Sequence, residues 1–444
     1  MKKIVIFAAF TIISFKAFSQ RLVNDSFYIS EARELLFALN SEKYERAAPY
    51  FDETVSGKIN ATFLKNTWDQ LYTKLGNIKS IGQLRIDRSD SLISAYIPCV
   101  FEDATLDLKV VFSHKNKVLG FFFVAHPAPD LYKLPNYADT SLTKEMDITV
   151  VSGKFKMPGK YVYPKNTKGK IPVVILVHGS GPNDMDETIE ANKPFKDLAY
   201  ALAKEGIGVV RYDKRSKVYT TQMYGEVDFT LEQETIIDAI SAVRLARKLP
   251  GVDSDHIFII GHSLGAMAVP MIAQQAGNLV AGIVLMAGPS RPLENLVYEQ
   301  TQYLESLIPS DKSQKSLEIL KNQVDMVSKG NFGPKTPSTQ LPLGLTANYW
   351  LFLHNYHQTE TAKKLKIPIL ILQGERDYQV TMTDFNVWKE ALAKNKRASF
   401  HSYPKLNHLF MEGEGKSTPA EYETPGHVAE YLIDDIANWI KSIR

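Results

Sequence analysis

Cysteine is almost missing from this chain. Cys99 is the only one in 444 residues, so no intramolecular disulfide can form. A charge of one sign is missing too. Lys and Arg number 52 against 49 Asp and Glu, and three of the lysines (Lys2, Lys3, Lys16) lie in the first 19 residues, which hold no acid; without that segment 49 stand against 49. A balanced chain offers no electrostatic footing for nucleic acid or an anionic membrane surface. Internal repeats and low-complexity tracts are absent. What is there, 44% hydrophobic and 23% charged residues with 25 Gly and 22 Pro, is the composition of a folded protein and excludes disorder, collagen and coiled coil.

Residues 1–19 read as an export signal. Lys2 and Lys3 begin it, an apolar run follows at 4–15, and Ala17-Phe18-Ser19 forms a small-x-small cleavage pattern before Gln20. The apolar run is too short to span a bilayer, and no cysteine follows the cleavage site to carry a lipid. The mature chain is therefore expected to be secreted or periplasmic, without membrane insertion.

Two periodicities divide the rest. Residues 30–75 carry apolar positions at helical spacing (Leu35, Leu36, Leu39, then Leu64, Trp68, Leu71), and 78–124 alternate as strands, with Leu106, Leu108, Val110 and Phe112 on one face. Together, 20–126 predict a small α+β domain. Residues 127–144, with three prolines and no period, read as a linker. From 145 to 444 a hairpin over 148–157 gives way to apolar strands at 173–177, 207–212, 257–260, 282–286 and 369–372 separated by helices, the pattern of a parallel sheet covered on both faces. About 289–366 interrupts it as a helical cap. The cap aromatics Tyr298, Tyr303, Trp350 and Phe352 are read as core packing by default, although any could line a pocket.

The chemistry centres on Gly261-His-Ser-Leu-Gly265, between a strand and a helical run. G-x-S-x-G in that context is a nucleophile elbow, which lifts the central serine above a sheet. A serine hydroxyl needs a base, and the base an orienting carboxylate, in chain order Ser, acid, His. Asp377, in the loop leaving the 369–372 strand, fits the acid, with Glu375 as alternative. His408, in the loop after the strand 398–403, fits the base, with His427 as its rival. An oxyanion hole requires two backbone N–H groups, one from the residue after the nucleophile, Leu264, and one from the Gly-rich loop after 173–177, where Ser180 is preferred and Gly181 is next. No dinucleotide or phosphate-loop fingerprint is complete. His354 and His357 lack further ligands, so neither cofactor nor metal is expected.

Gly179-Ser-Gly-Pro, Arg211-Tyr-Asp-Lys-Arg215, the Gly-His-Ser-Leu-Gly elbow, Gly374-Glu-Arg-Asp377 and Asn407-His408 together resemble the α/β-hydrolase superfamily, specifically bacterial carboxylesterases near the serine-aminopeptidase and dienelactone-hydrolase branches. The resemblance covers about 146–444. It implies the α/β-hydrolase fold and attack of Ser263 on a small-molecule ester of short acyl chain. His408 would be the base, Asp377 its orienting acid, and Leu264 with Ser180 the oxyanion donors. Peptide cleavage or acyl transfer by the same triad stays open, as does a non-catalytic surface-binding role. The sequence departs from many relatives at Ser216-Lys-Val-Tyr219, where they carry a Gly-x-Gly turn, which bears on the neighbouring pocket wall. Residues 21–126 more weakly resemble a small domain that precedes secreted bacterial hydrolases. That domain is expected either to restrict the pocket or to pair two chains as a homodimer.

Overall fold

The computed structural model describes residues 25–443 apart from 89–91, 103, 127–130, 224–228, 308 and 310. The export segment read at 1–19 lies outside the described residues. The chain forms two compact units that divide between residues 128 and 129.

In the first unit, helix α1 (25–40) and helix α2 (Ala61–Leu75) lie with an antiparallel sheet of β1 (Ser80–Ile81), β2 (Arg85–Asp87), β3 (Ile93–Val100), β4 (Thr105–Phe112) and β5 (Val118–Ala125). Asn60 caps α2 by accepting the Phe63 N–H at 2.9 Å. Leu35, Leu39, Leu64 and Trp68 from the helices meet Ile97, Leu108, Val110 and Phe112 from the strands in one core. The expected inward face of β4 is thus in the core, with Leu106 only half-buried. Cys99 is fully buried within it, and burial pushes its thiol up to about 11.

In the second unit, described residues form eight strands: β6 (Thr143–Ser152), β7 (Phe155–Pro164), β8 (Ile171–Val177), β9 (Gly208–Tyr212), β10 (Val252–His262), β11 (Gly282–Met286), β12 (Ile369–Gly374) and β13 (Ala398–Tyr403). Their spatial order is β13-β12-β11-β10-β8-β9-β7-β6, with β7 antiparallel to both neighbours and the remaining pairs parallel. Helices α3 (Pro194–Lys204), α4 (Ile237–Ala246) and α5 (Leu264–Ala276) come before an insertion of α6 (Leu293–Leu307), α7 (Asp311–Ser328), α8 (Ala347–Asn355) and α9 (Gln358–Lys364). Helices α10 (Met382–Ala391) and α11 (Glu430–Ser442) complete the unit. One apolar layer joins α3 and α11 to the sheet, and the other joins α4, α5 and α10. This is the α/β-hydrolase fold. After β8 the chain goes to one side for β9 and to the other for β10. That reversal opens a crevice at the carboxyl ends of β8 and β10, where ligands bind in open α/β sheets.

Two elements differ from the sequence reading. The hairpin extends over all of β6 and β7, well beyond 148–157, because an edge strand tolerates the polar alternation of Lys144, Glu145 and Asp147. The segment read as linker is also tied down in part. Tyr132 donates to Asp197 Oδ1 at 2.5 Å and Tyr137 to the Val428 carbonyl at 2.5 Å, although nothing periodic marks them. Among the described residues no helix is long and apolar enough to cross a membrane.

Candidate active site

The elbow is built by what its glycines leave out. A Cβ on Gly265 would stand 2.2 Å from the Val177 carbonyl oxygen and 2.5 Å from that of His178. On Gly261 it would meet Val269 Cγ2 at 2.5 Å. Only glycine lets α5 close this tightly on β8 and β10. Between them Ser263 takes φ 53°, ψ −120°, held by its own N–H donating to the Met286 carbonyl at 2.9 Å. A left-handed serine costs about 1–3 kcal/mol and persists because its surroundings impose it. Ser263 is half-buried, whereas both its neighbours are buried.

Asp377 and His408 meet over the ends of β12 and β13. His408 Nδ1 lies 2.6 Å from Asp377 Oδ2, with both residues buried. A carboxylate oxygen accepts, so the Nδ1 proton points to it and Nε2 is left as the ring's acceptor nitrogen. Asp377 Oδ1 accepts the N–H groups of Gln379 (2.7 Å) and Val380 (3.0 Å), and Oδ2 also accepts Gln373 Nε2 at 3.2 Å. Asn407 Oδ1 accepts the N–H groups of Leu409 and Met411 at 3.0 and 3.1 Å, which shapes the loop around the imidazole. Gly374 has no room for a Cβ, which would sit 2.4 Å from the Leu406 carbonyl oxygen, so the acid strand abuts the histidine loop.

A second histidine joins this pair to the elbow. His262 Nε2 donates to the His408 carbonyl at 2.9 Å, and the two rings lie 4.7 Å apart. Its Nδ1 is 3.0 Å from Glu187 Oε2, an ionic contact too far out of line to be a hydrogen bond. Burial disfavours charge on His262, but Glu187 outweighs it and raises the imidazole's affinity for its proton; the converse holds for Glu187, whose carboxyl is lowered. Glu187 Oε1 accepts the Gly179 N–H at 2.5 Å. Gly179 in turn lies against Ser263, since a Cβ there would be 3.2 Å from Ser263 Cβ.

All three expected oxyanion donors, Ser180, Gly181 and Leu264, line one cavity of about 150 Å³ with Met223, Leu345 and Tyr349. Leu264 opens α5, and the first N–H groups of a helix have no intrahelical partner. Ser216 of the divergent segment also lines this cavity, and Arg215–Val218 forms a short helix there. The alternatives lie elsewhere. Glu375 is exposed and accepts Ser402 Oγ at 2.8 Å. His427 Nδ1 is 3.3 Å from Asp197. His354 and His357 line a different cavity of about 490 Å³ in the inserted segment, which contains none of the expected site residues. No cluster of three or more His, Cys, Asp or Glu side chains among the described residues could hold a metal ion.

Residues 170–415 match the family described as serine aminopeptidase, S33, which is more than half of the chain. This chain belongs to that family. Residues 32–121 of the first unit match a family described as a protein of unknown function, DUF3887. Esterase EstD of Thermotoga maritima is 37% identical over 403 residues, spanning 90% of this chain and 92% of that protein. Among solved structures, Est1E from Butyrivibrio proteoclasticus with bound ferulic acid aligns at TM-score 0.44 and 16% identity, covering 67% of this chain and 98% of that one. The Pyrococcus furiosus esterase Pf2001 aligns at 0.43 and 15%, covering 71% and 97%.

Sequence reasoning missed Glu187, Lys214 and Glu234 in this hydrolase, because buried ionic residues look like surface residues on the page. One signal was available: Arg211-Tyr-Asp-Lys-Arg215 is dense in charge directly after the buried strand β9. Arg211 contacts Asp186, Lys214 contacts Glu234 at 2.5 Å, and Arg215 contacts Asp238. The four cap aromatics do not line the small cavity. Trp350 is in the core, and Tyr303 packs against Tyr378 with ring centroids 5.2 Å apart and the planes tilted by 34°.

Proposed function

We propose that this protein is an exported serine carboxylesterase for esters of short acyl chains. The observation that carries the reading is the small cavity shared by Ser180, Gly181 and Leu264, whose lining offers a substrate no unspent charge. Its one carboxylate, Glu234, is engaged by Lys214 at 2.5 Å and by the Tyr349 hydroxyl at 2.6 Å. An aminopeptidase would need a carboxylate available for the substrate ammonium, so an apolar acyl group suits this lining better.

In this mechanism Ser263 Oγ attacks the ester carbonyl while His408 Nε2 takes its proton. His408 returns the proton to the departing alcohol, and water later repeats the sequence to release the acid and free Ser263. Asp377 keeps the imidazole in the required tautomer and stabilises the imidazolium. The Leu264 and Ser180 N–H groups hold the oxyanion; each such donor is worth about 3–4 kcal/mol of barrier. A cavity of about 150 Å³ matches one that accommodates a benzene-sized group of six carbons, so acyl chains beyond roughly that size meet the wall.

Support for export is the segment 1–19. The test of function is a series of p-nitrophenyl esters from acetyl to decanoyl beside an aminoacyl p-nitroanilide. Turnover should peak between acetyl and hexanoyl, with the anilide untouched. A maximum at decanoyl, or turnover of the anilide alone, would sink the proposal.

A further inference from the structure

The peptide that joins Gly179 to Ser180 is gripped from behind by a buried cation. Lys214 Nζ donates to the Gly179 carbonyl at 2.7 Å, and Asn183 Nδ2 donates to the same oxygen at 3.2 Å. Lys214 is 2% exposed. Its ammonium also contacts Glu234 Oε1 at 2.5 Å, and Glu234 Oε2 accepts the Tyr349 hydroxyl of α8 at 2.6 Å. Burial, and then Glu234, raise the Tyr349 phenol well above its ordinary range, so it stays a donor. A chain of contacts thus runs from the inserted helices through Tyr349, Glu234 and Lys214 to one carbonyl of the loop beside Ser263.

That carbonyl matters because of peptide geometry. The described peptide bonds are trans, so the Gly179 C=O and the Ser180 N–H share one rigid plane and point in opposite directions. Fixing the oxygen fixes the hydrogen. A cation on the oxygen also draws electron density out of the amide and strengthens the N–H as a donor, since linked hydrogen bonds polarise one another in a low dielectric. A buried ion pair gives little net stability compared with apolar side chains of the same size, so stability alone is a poor account of Lys214 and Glu234 here.

We propose that Lys214, paired with a Glu234 that the Tyr349 hydroxyl holds in place, is a positioning residue that aims and polarises the Ser180 N–H toward the oxyanion. The proposal rests on the esterase reading above and adds to it a role for Lys214, which does not line the cavity, and a second role for Glu234 and Tyr349, which do. Because the effect appears only where negative charge develops on the substrate oxygen, it belongs to the transition state and not to ground-state binding.

The test is the double variant Lys214→Met/Glu234→Gln, which removes both charges together and leaves no buried ion unpaired. Beside it stand wild type and Ser263→Ala, all assayed on a p-nitrophenyl ester and with an alkyl trifluoromethyl ketone, which mimics the tetrahedral oxyanion. The double variant should lose about 10- to 100-fold in kcat with KM within twofold, and ketone affinity should fall by the same factor. A kcat within twofold of wild type, or a lowered Tm with unchanged ketone affinity, overturns the proposal while Ser263-dependent turnover keeps the esterase reading. Turnover that survives Ser263→Ala overturns both. Should the double variant fail to fold, the partly exposed Asn183→Ala, which removes the other donor to the Gly179 oxygen, must lower kcat and ketone affinity in parallel by about threefold or more; no parallel loss refutes the idea.

Discussion

Replacing Asp377 by Asn changes one atom's hydrogen-bonding sense and almost nothing in shape. Oδ1 is fixed by the Gln379 and Val380 N–H groups, so the new NH₂ must take the place of Oδ2. There it faces His408 Nδ1 at 2.6 Å and Gln373 Nε2 at 3.2 Å. Nδ1 can keep a hydrogen bond only by losing its proton and accepting. The proton then sits on Nε2, the atom that takes the Ser263 proton in the proposed mechanism, and that mechanism loses its base. Expected is a fall in kcat of about 10⁴, or about 5 kcal/mol of barrier, with KM little changed. Gln373 Nε2 loses one acceptor but keeps the Gly374 and Val380 carbonyls at 3.0 and 2.8 Å, so the cost is about 0.5–1.5 kcal/mol of stability, not enough to unfold the unit. Steady-state kinetics on p-nitrophenyl butyrate, with a thermal melt of the same sample, read both. Exposed Glu375, as Glu375→Gln, should retain kcat within about twofold, as surface substitutions do. A folded Asp377→Asn enzyme within tenfold of wild type, or an equal loss in Glu375→Gln, would refute the reasoning.

Two further predictions follow from packing and burial. Gly265→Ala drives a Cβ into the Val177 and His178 carbonyls and should cost about 3 kcal/mol or more, read as a shift in the urea midpoint; a shift within error would show that the elbow has slack. Burial pushes His178 down to about 4 against the opposing pull of Glu187, so the folded state resists a proton that the unfolded chain accepts below about 6.5. Stability should therefore fall by about 3 kcal/mol from this group as pH drops from about 6.5 to 4. His178→Phe, which fills the place between Phe195 and Tyr212 without titrating, should flatten that part of the profile. An equally steep profile in the variant would remove His178 from the account.

The parts legible from sequence are those with a local pattern. The strand β10, the elbow and α5 follow one another within 25 residues and carry both a period and a pair of required glycines. The loops that hold Asp377 and His408 could be placed because each follows a short strand, and β12 and β13 pair in register from Ile369 with Ala398 to Gly374 with Tyr403. Loop contacts made by side chains distant in sequence were not legible. Glu187 reaches Gly179 from the Asp184 turn, and Lys214 reaches the same residue from the end of β9, with only the fold to bring them together. The reach of β6 was underestimated because the sheet buries few of its side chains. The N-terminal strands were readable as a meander, yet nothing in their alternation says what the first unit does.

The central claim is that Ser263 carries the acyl group, and covalent labelling tests it most directly. Wild-type protein treated with an alkyl fluorophosphonate should gain one phosphonyl group, located by peptide mass spectrometry on Ser263, in step with complete loss of ester hydrolysis. A label on another residue, or full labelling of Ser263 with hydrolysis intact, would contradict it.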